Sequence, residues 1–252
     1  MRRSTPREAP SAFQLQCRDQ SITCTIVRSK RRRKTISISV SAETGVRIAA
    51  PVTTSESFIR ELVTKRSTWI LKRLAAEATA SPSPRQFVSG ERLPYLGVDY
   101  PLLVSPGGHT RRVSVAFNGD TFGLVLPETL EGSARENAFR KALTAWYRER
   151  AQSAVARSVS YWSARMNLAS RAVLVRDQRR RWGSCSPDGT LRINWRLVLA
   201  PPDILDYVVV HELAHLAQRN HSPAFWAVVA EFLPDHKVRR KWLREHGPRL
   251  AI

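Results

Sequence analysis

The sequence predicts an α+β protein: a strand-rich amino-terminal part followed by a mainly helical part with a small sheet. Three observations carry this. The first half alternates apolar and polar residues with the period of two that strands require. The second half repeats apolar residues at helical spacing. Turn-forming residues punctuate the first pattern but are almost missing from the longest stretches of the second.

Between Ile22 and Ala50 the runs ITCTIV, KTISISV and GVRIAAP read as short antiparallel strands. Lys30 to Lys34, five basic residues, fall between two of them as a solvated hairpin tip or an anion-binding loop. From Thr54 to Ala80, Phe58, Leu62, Trp69, Ile70 and Leu74 mark one helix, with Thr54 or Ser55 as its cap. SPSPRQ at 81–86 is a connector, and a second set of strands follows, with Asn118-Gly119 as a hairpin turn.

Ala134 to Met166 contains neither Gly nor Pro and forms one long helix or two in series, its aromatic residues facing a core. RAVLVR and LRINWRL are strands flanking the loop QRRRWGSCSPDG. Three helices close the chain, over PPDILDYVVVHELAHLAQRN, SPAFWAVVAEFLP and DHKVRRKWLREHG. The expected divisions are a flexible terminus at 1–20, a strand-rich region with one helix at 21–130, and a mainly helical domain at 131–252.

A chain of 252 residues with 42% hydrophobic content can bury its own core. Its apolar runs stop short of a membrane span and the first residues lack a signal sequence, so the expectation is a soluble, cytoplasmic protein without membrane contact. Cys17, Cys24 and Cys185 are too few and too scattered for a disulfide framework or a thiolate metal site. The net charge of +20 admits an anionic or nucleic-acid partner, but arginine is spread through nearly every segment, and charge without clustering identifies no such partner. Oligomeric state is not legible.

The chemistry concentrates in residues 211 to 215, HELAH. On a helix, His211 and His215 lie one turn apart on one face and can share a metal ion. Glu212 projects beside that face, where it can take a proton from water as a general base. A third ligand is needed, and His221 is six residues on. A continuous helix carries it about 9 Å away along the axis. The helix must therefore end, and Asn220, tolerant of left-handed backbone, supplies the turn before Ser222-Pro223 opens the next helix.

Three imidazoles with a neighbouring carboxylate leave a fourth position for water, the layout of a catalytic zinc that activates water with Glu212 as base. Iron, nickel and cobalt fit the same donors. Asp206 and Glu231 are candidates to orient the histidines. His109, His236 and His246 are read as surface or partly buried residues, with His236 the alternative ligand. Arg179, Arg180 and Arg181 form either solvated parts of a turn anchored by Trp182 or an anion-binding wall.

The run from Gln178 to Trp226, joining RWGSCS, INWRL, DYVVVHELAHL and NHSPAFW in order, resembles the YgjP-like and SprT-like zinc metallopeptidase families. RRRKTISISV and Trp69-Ile70 extend the similarity towards the amino terminus. The resemblance implies a zincin-like catalytic domain over 131–252, zinc on His211, His215 and His221, catalysis through Glu212, a peptide or protein substrate, and LRINWRL as the edge strand that pairs with it. Two other readings stand beside it: hydrolysis of a phosphate-containing substrate, nucleotide or nucleic acid, and a basic nucleic-acid-binding module with a non-catalytic zinc.

Overall fold

A computed structural model describes residues 11–17, 20–41, 45–80, 86–107, 112–127, 129–178 and 181–252. Its contacts divide the chain between Pro82 and Ser83 into two compact units.

The first unit holds strands β1 (Ser11–Cys17), β2 (Gln20–Ser29), β3 (Ser37–Ser41) and β4 (Gly45–Pro51) with helices α1 (Glu56–Lys65) and α2 (Ser67–Ala80). Sheet order is β1-β2-β4-β3. Period-two alternation puts Phe13, Leu15, Ile22, Cys24, Ile26, Val46 and Ile48 on one buried face. Helices α1 and α2 add Ile59, Val63 and Ile70 to that core. Residues 1–20 are thus not uniformly a flexible terminus, because Ser11–Cys17 pairs with β2 along its whole length.

Two expectations for this unit are corrected. The sheet is not wholly antiparallel: β2 and β4 run parallel, Ile26 opposite Ile48. The basic segment after β2 leads past β4 to the outer strand β3, which returns as a hairpin and places β4 inside. The helix over Thr54–Ala80 is two helices, capped by the Ser55 hydroxyl and broken at Arg66. The break lets both helices reach the sheet, and the buried stripe is Ile59, Val63 and Ile70 while Phe58 and Trp69 stay exposed.

The second unit opens with β5 (Arg92–Tyr95), β6 (Val98–Pro106), β7 (Ser114–Phe117) and β8 (Phe122–Leu126), in the order β5-β6-β8-β7. This repeats the connectivity of the first sheet, including a parallel central pair, β6 with β8. The Asn118-Gly119 turn joins β7 to β8, with Gly119 at φ 108° and Asn118 Oδ1 accepting from the Asp120 and Thr121 amides.

The single 35-residue helix α3 (Gly132–Met166) packs against this sheet. At 1.5 Å per residue it is about 52 Å long. Phe139 stacks on Phe87 at 4.0 Å, and the Tyr147 hydroxyl donates to Pro94 O. The expected region 21–130 does not stay together in the contacts, which place β5 to β8 in one unit with the helices that follow.

A three-stranded sheet, β9 (Ala172–Arg176), β10 (Gly183–Cys185) and β11 (Thr190–Asn194), and helices α4 (Pro202–Ala217), α5 (Pro223–Phe232) and α6 (His236–His246) complete the unit. The sheet order is β10-β11-β9. LRINWRL is therefore not an edge strand: its Leu191–Asn194 lies in the centre and its remainder is a short 3-10 turn. The edge beside α4 is β10, which hides in the sequence as the three residues GSC. No helix among the described residues is long and apolar enough to cross a membrane.

Candidate metal centre

Helix α4 begins at Pro202, where a missing amide hydrogen is no loss, and buries an apolar run from Ile204 to Ala214. Inside it His211 and His215 project one turn apart, their ring centroids separated by 5.0 Å. The helix stops at Ala217 because Gln218 is extended, with φ −133° and ψ 109°. This corrects the expectation for Asn220, which is not among the non-glycine residues with positive φ. The helix ends as the third histidine requires, by extension two residues earlier.

The Gln218 carbonyl has a second role. It lies 3.1 Å from His215 Nδ1, and a proton donated there leaves Nε2 with its lone pair. The chain then tightens, Ser222 N donating to Asn220 O, before the Ser222 hydroxyl caps α5 at Phe225 N. His221 is returned to the site, its Nε2 3.0 Å from His211 Nε2. The ligand atoms of His211, His215 and His221 all lie within 4.8 Å of one another. Tetrahedral zinc with bonds of about 2.0–2.1 Å spaces its ligands about 3.3 Å apart, so this donor set fits such an ion.

Aromatic rings support the triad. Phe225 is fully buried and touches all three histidine rings, at 4.9, 4.5 and 4.8 Å between centroids. Trp226 stacks on His221 at 5.8 Å and on His236 at 5.6 Å. His236, the alternative ligand, is buried behind that indole, its Nδ1 on Leu233 O, and is not one of the triad. His246 lies against Trp242, and His109 falls outside the described residues.

Glu212 is buried at 5% exposure beside β10. Its carboxylate accepts from the Cys185 amide and feels the Arg181 charge, yet burial outweighs both and raises its pKa to about 7. Burial likewise lowers His211 to about 3, helped by His215, His221 and Arg240, and holds His221 below its usual value. All three shifts favour the neutral forms, and neutral imidazole is the form that binds a metal.

The cleft around these groups encloses about 880 Å³ and is lined by Arg181, Gly183, Cys185 and Arg219 besides the triad and Glu212. Of the arginine wall, Arg181 is placed at the cleft, while Arg179 and Arg180 fall outside the described residues. Trp182 packs against the core and Gly247, so the loop anchors a tryptophan and presents an arginine at once. Buried Asn194 clamps it, its Nδ2 donating to Gln178 O and Arg181 O. Asp206 does not orient a histidine: it accepts from the Ser158 hydroxyl at 2.6 Å, tying α4 to α3. Glu231 is exposed on α5.

Sequence reasoning missed Gly183, Asn194 and Phe225. Phe225 had a signal, since it follows the third histidine by one helical turn. Gly183 and Asn194 act through segments distant in sequence, so spacing carries no signal for them, and their one mark is their place in the RWGSCS and INWRL motifs.

Three converging imidazoles, a buried carboxylate and an open cleft define a metal-dependent hydrolase. The YgjP-like family, described as a metallopeptidase domain, matches residues 34–246, and the chain belongs to that family. No curated protein matches it. Two solved metallopeptidase zymogens show similarity at 21% identity: Pyrococcus abyssi abylysin and Methanocaldococcus jannaschii jannalysin. Each alignment spans 36% of this chain, covering 93% and 91% of theirs, at TM-scores of 0.33 and 0.32.

Proposed function

We propose that the protein is a zinc-dependent peptidase in which His211, His215 and His221 hold the ion and Glu212 is the general base. The convergence of three imidazole nitrogens beside a buried glutamate carries this reading. A bound zinc supplies Lewis acidity and makes water a nucleophile near neutral pH.

The chain's own residues do the rest. His215 is oriented by Gln218 O and the rings are braced by Phe225, which limits reorganisation when an ion enters. A glutamate with a pKa near neutrality can both accept a proton from water and return it to a leaving amine. The Cys185 amide fixes its carboxylate, and Arg181 biases it towards the charged form.

Substrate placement follows from β10. Asn194 N donates to Trp182 O and Ser186 N donates to Thr190 O, so by antiparallel alternation residues 182, 184 and 186 bond to β11. The backbone groups of Gly183 and Cys185 point the other way, towards the cleft. An extended peptide can add to Gly183 there, as in strand-addition recognition.

A turnover screen of an unstructured protein, nucleoside triphosphates and single-stranded DNA tests the substrate class. Peptide-bond cleavage that chelation abolishes is the expected result. Hydrolysis confined to phosphate esters or anhydrides would replace the peptidase reading with a phosphohydrolase.

A further inference from the structure

We propose that the cleft selects acidic peptides, with Arg181, Arg219 and Arg240 reading carboxylate side chains on either side of the bond to be cut. The inference rests on the peptidase reading of the same site.

Arg181 leads into β10 and Arg219 follows α4; both are exposed and both line the cleft. Arg240, on α6, is exposed too, and its guanidinium sits 4.9 Å from the centroid of Trp226. That indole stacks on His221, so the charge is held one aromatic ring from the triad. Their fields reach different groups: Arg181 acts on Glu212, Arg219 on Cys185, and Arg240 on His211 and His221. Cations from three elements therefore lie near the site.

None of the three forms a salt bridge among the described residues. Arg219 gives one N–H to Pro187 O and keeps its other donors. The carboxylates of the cleft wall do not balance them. Glu212 lines the cleft but is buried, with its pKa raised to about 7, and forms no salt bridge with the three, while Asp188 is engaged by Ser186, Thr190 and Arg171. A rim of uncompensated cations around a cleft raises the local concentration of anionic chains and disfavours basic ones.

The arrangement favours carboxylates along a chain over a phosphate group. The three arginines come from separate elements, before β10, after α4 and on α6, so together they offer cations to several carboxylates spaced along one chain. The free backbone of Gly183 suits an extended peptide lying between them. Exposed charge pairs each contribute a few-fold in affinity, so three together give roughly ten-fold or more.

The test uses Glu212→Gln protein, which keeps the cleft without cutting, and fluorescence anisotropy of two labelled ten-residue peptides that differ only in Glu against Gln at four positions. The Glu peptide should bind about ten-fold tighter at about 0.1 M salt, where screening acts over about 10 Å. Replacing Arg181, Arg219 and Arg240 together by Gln should reduce that ratio to about two or less. Replacing Lys141, Arg150 and Arg157, exposed α3 residues that do not line the cleft, should leave it high. Equal binding of the two peptides, or an equal loss in the α3 control, overturns the inference. So does a single-stranded oligonucleotide that binds tighter than the Glu peptide and loses its affinity in the arginine triple variant, which assigns phosphate instead. Zinc-loaded wild-type protein that cleaves neither peptide, with selective binding intact, removes the peptidase reading and leaves the charge selectivity supported.

Discussion

Gly183 and Glu212 occupy adjoining space so closely that a methyl group at position 183 would lie 2.5 Å from Glu212 Oε1 and 2.7 Å from its Cγ. The glutamate can sit over β10 only because residue 183 has no side chain. Edge strand β10 and the Glu212 carboxylate are thereby set against each other by one contact.

Gly183→Ala should move the Glu212 carboxylate while leaving the histidines in place. A displacement of about 1 Å costs on the order of 10²-fold in rate when it falls on a catalytic group. Steady-state kinetics should show kcat reduced by roughly that factor, with one zinc per chain retained. Unchanged kcat would mean that Glu212 is not held as described.

Asp206 links α4 to α3 through Ser158 and does not touch the triad. Asp206→Ala should therefore lower stability by about 1–3 kcal/mol, the cost of leaving a buried hydroxyl unpaired, and spare zinc affinity. Denaturant unfolding and zinc titration of the same variant separate the two effects. A large loss of zinc affinity would restore Asp206 to the role its sequence position suggested.

In the metal-free protein, His211 and Glu212 oppose each other as pH changes. His211 titrates near 3 folded against 6.5 in the unfolded chain, so its contribution to stability is present above 6.5 and lost as pH falls towards 3. Glu212 titrates near 7 folded against 4.5 unfolded, so its contribution is present below 4.5 and lost as pH rises towards 7. Between pH 4.5 and 6.5 the two slopes offset. Glu212→Gln removes one of them, and its stability should rise with pH more steeply than that of wild type, by up to about 1.4 kcal/mol per unit. Parallel profiles from chemical unfolding would contradict the burial of Glu212.

What could be read from the sequence was what depends on near neighbours. HELAH shows its shared face because helical geometry is local, and His221 is reachable because only six residues separate it from His215. The long helix α3 shows itself through an unbroken apolar stripe. The connectivity of the sheets does not, since nothing in alternation says whether β4 lies beside β3 alone or between β3 and β2. Strand β10 is hidden because three residues, one of them glycine, have no period, and the edge-strand role that the resemblance implies for LRINWRL falls one strand away. The spacing to His221 shows that the helix must end before it, but not where: the extended backbone of Gln218 ends it, not Asn220.

The most direct test of the site joins metal content to turnover in one variant. Glu212→Gln should bind one zinc per chain as wild type does and hydrolyse an unstructured protein at least about 10³-fold more slowly, because the ligands are intact and the base is gone. Loss of the zinc together with the activity, or activity undiminished with the zinc in place, would contradict the assignment of His211, His215 and His221 as ligands and Glu212 as base.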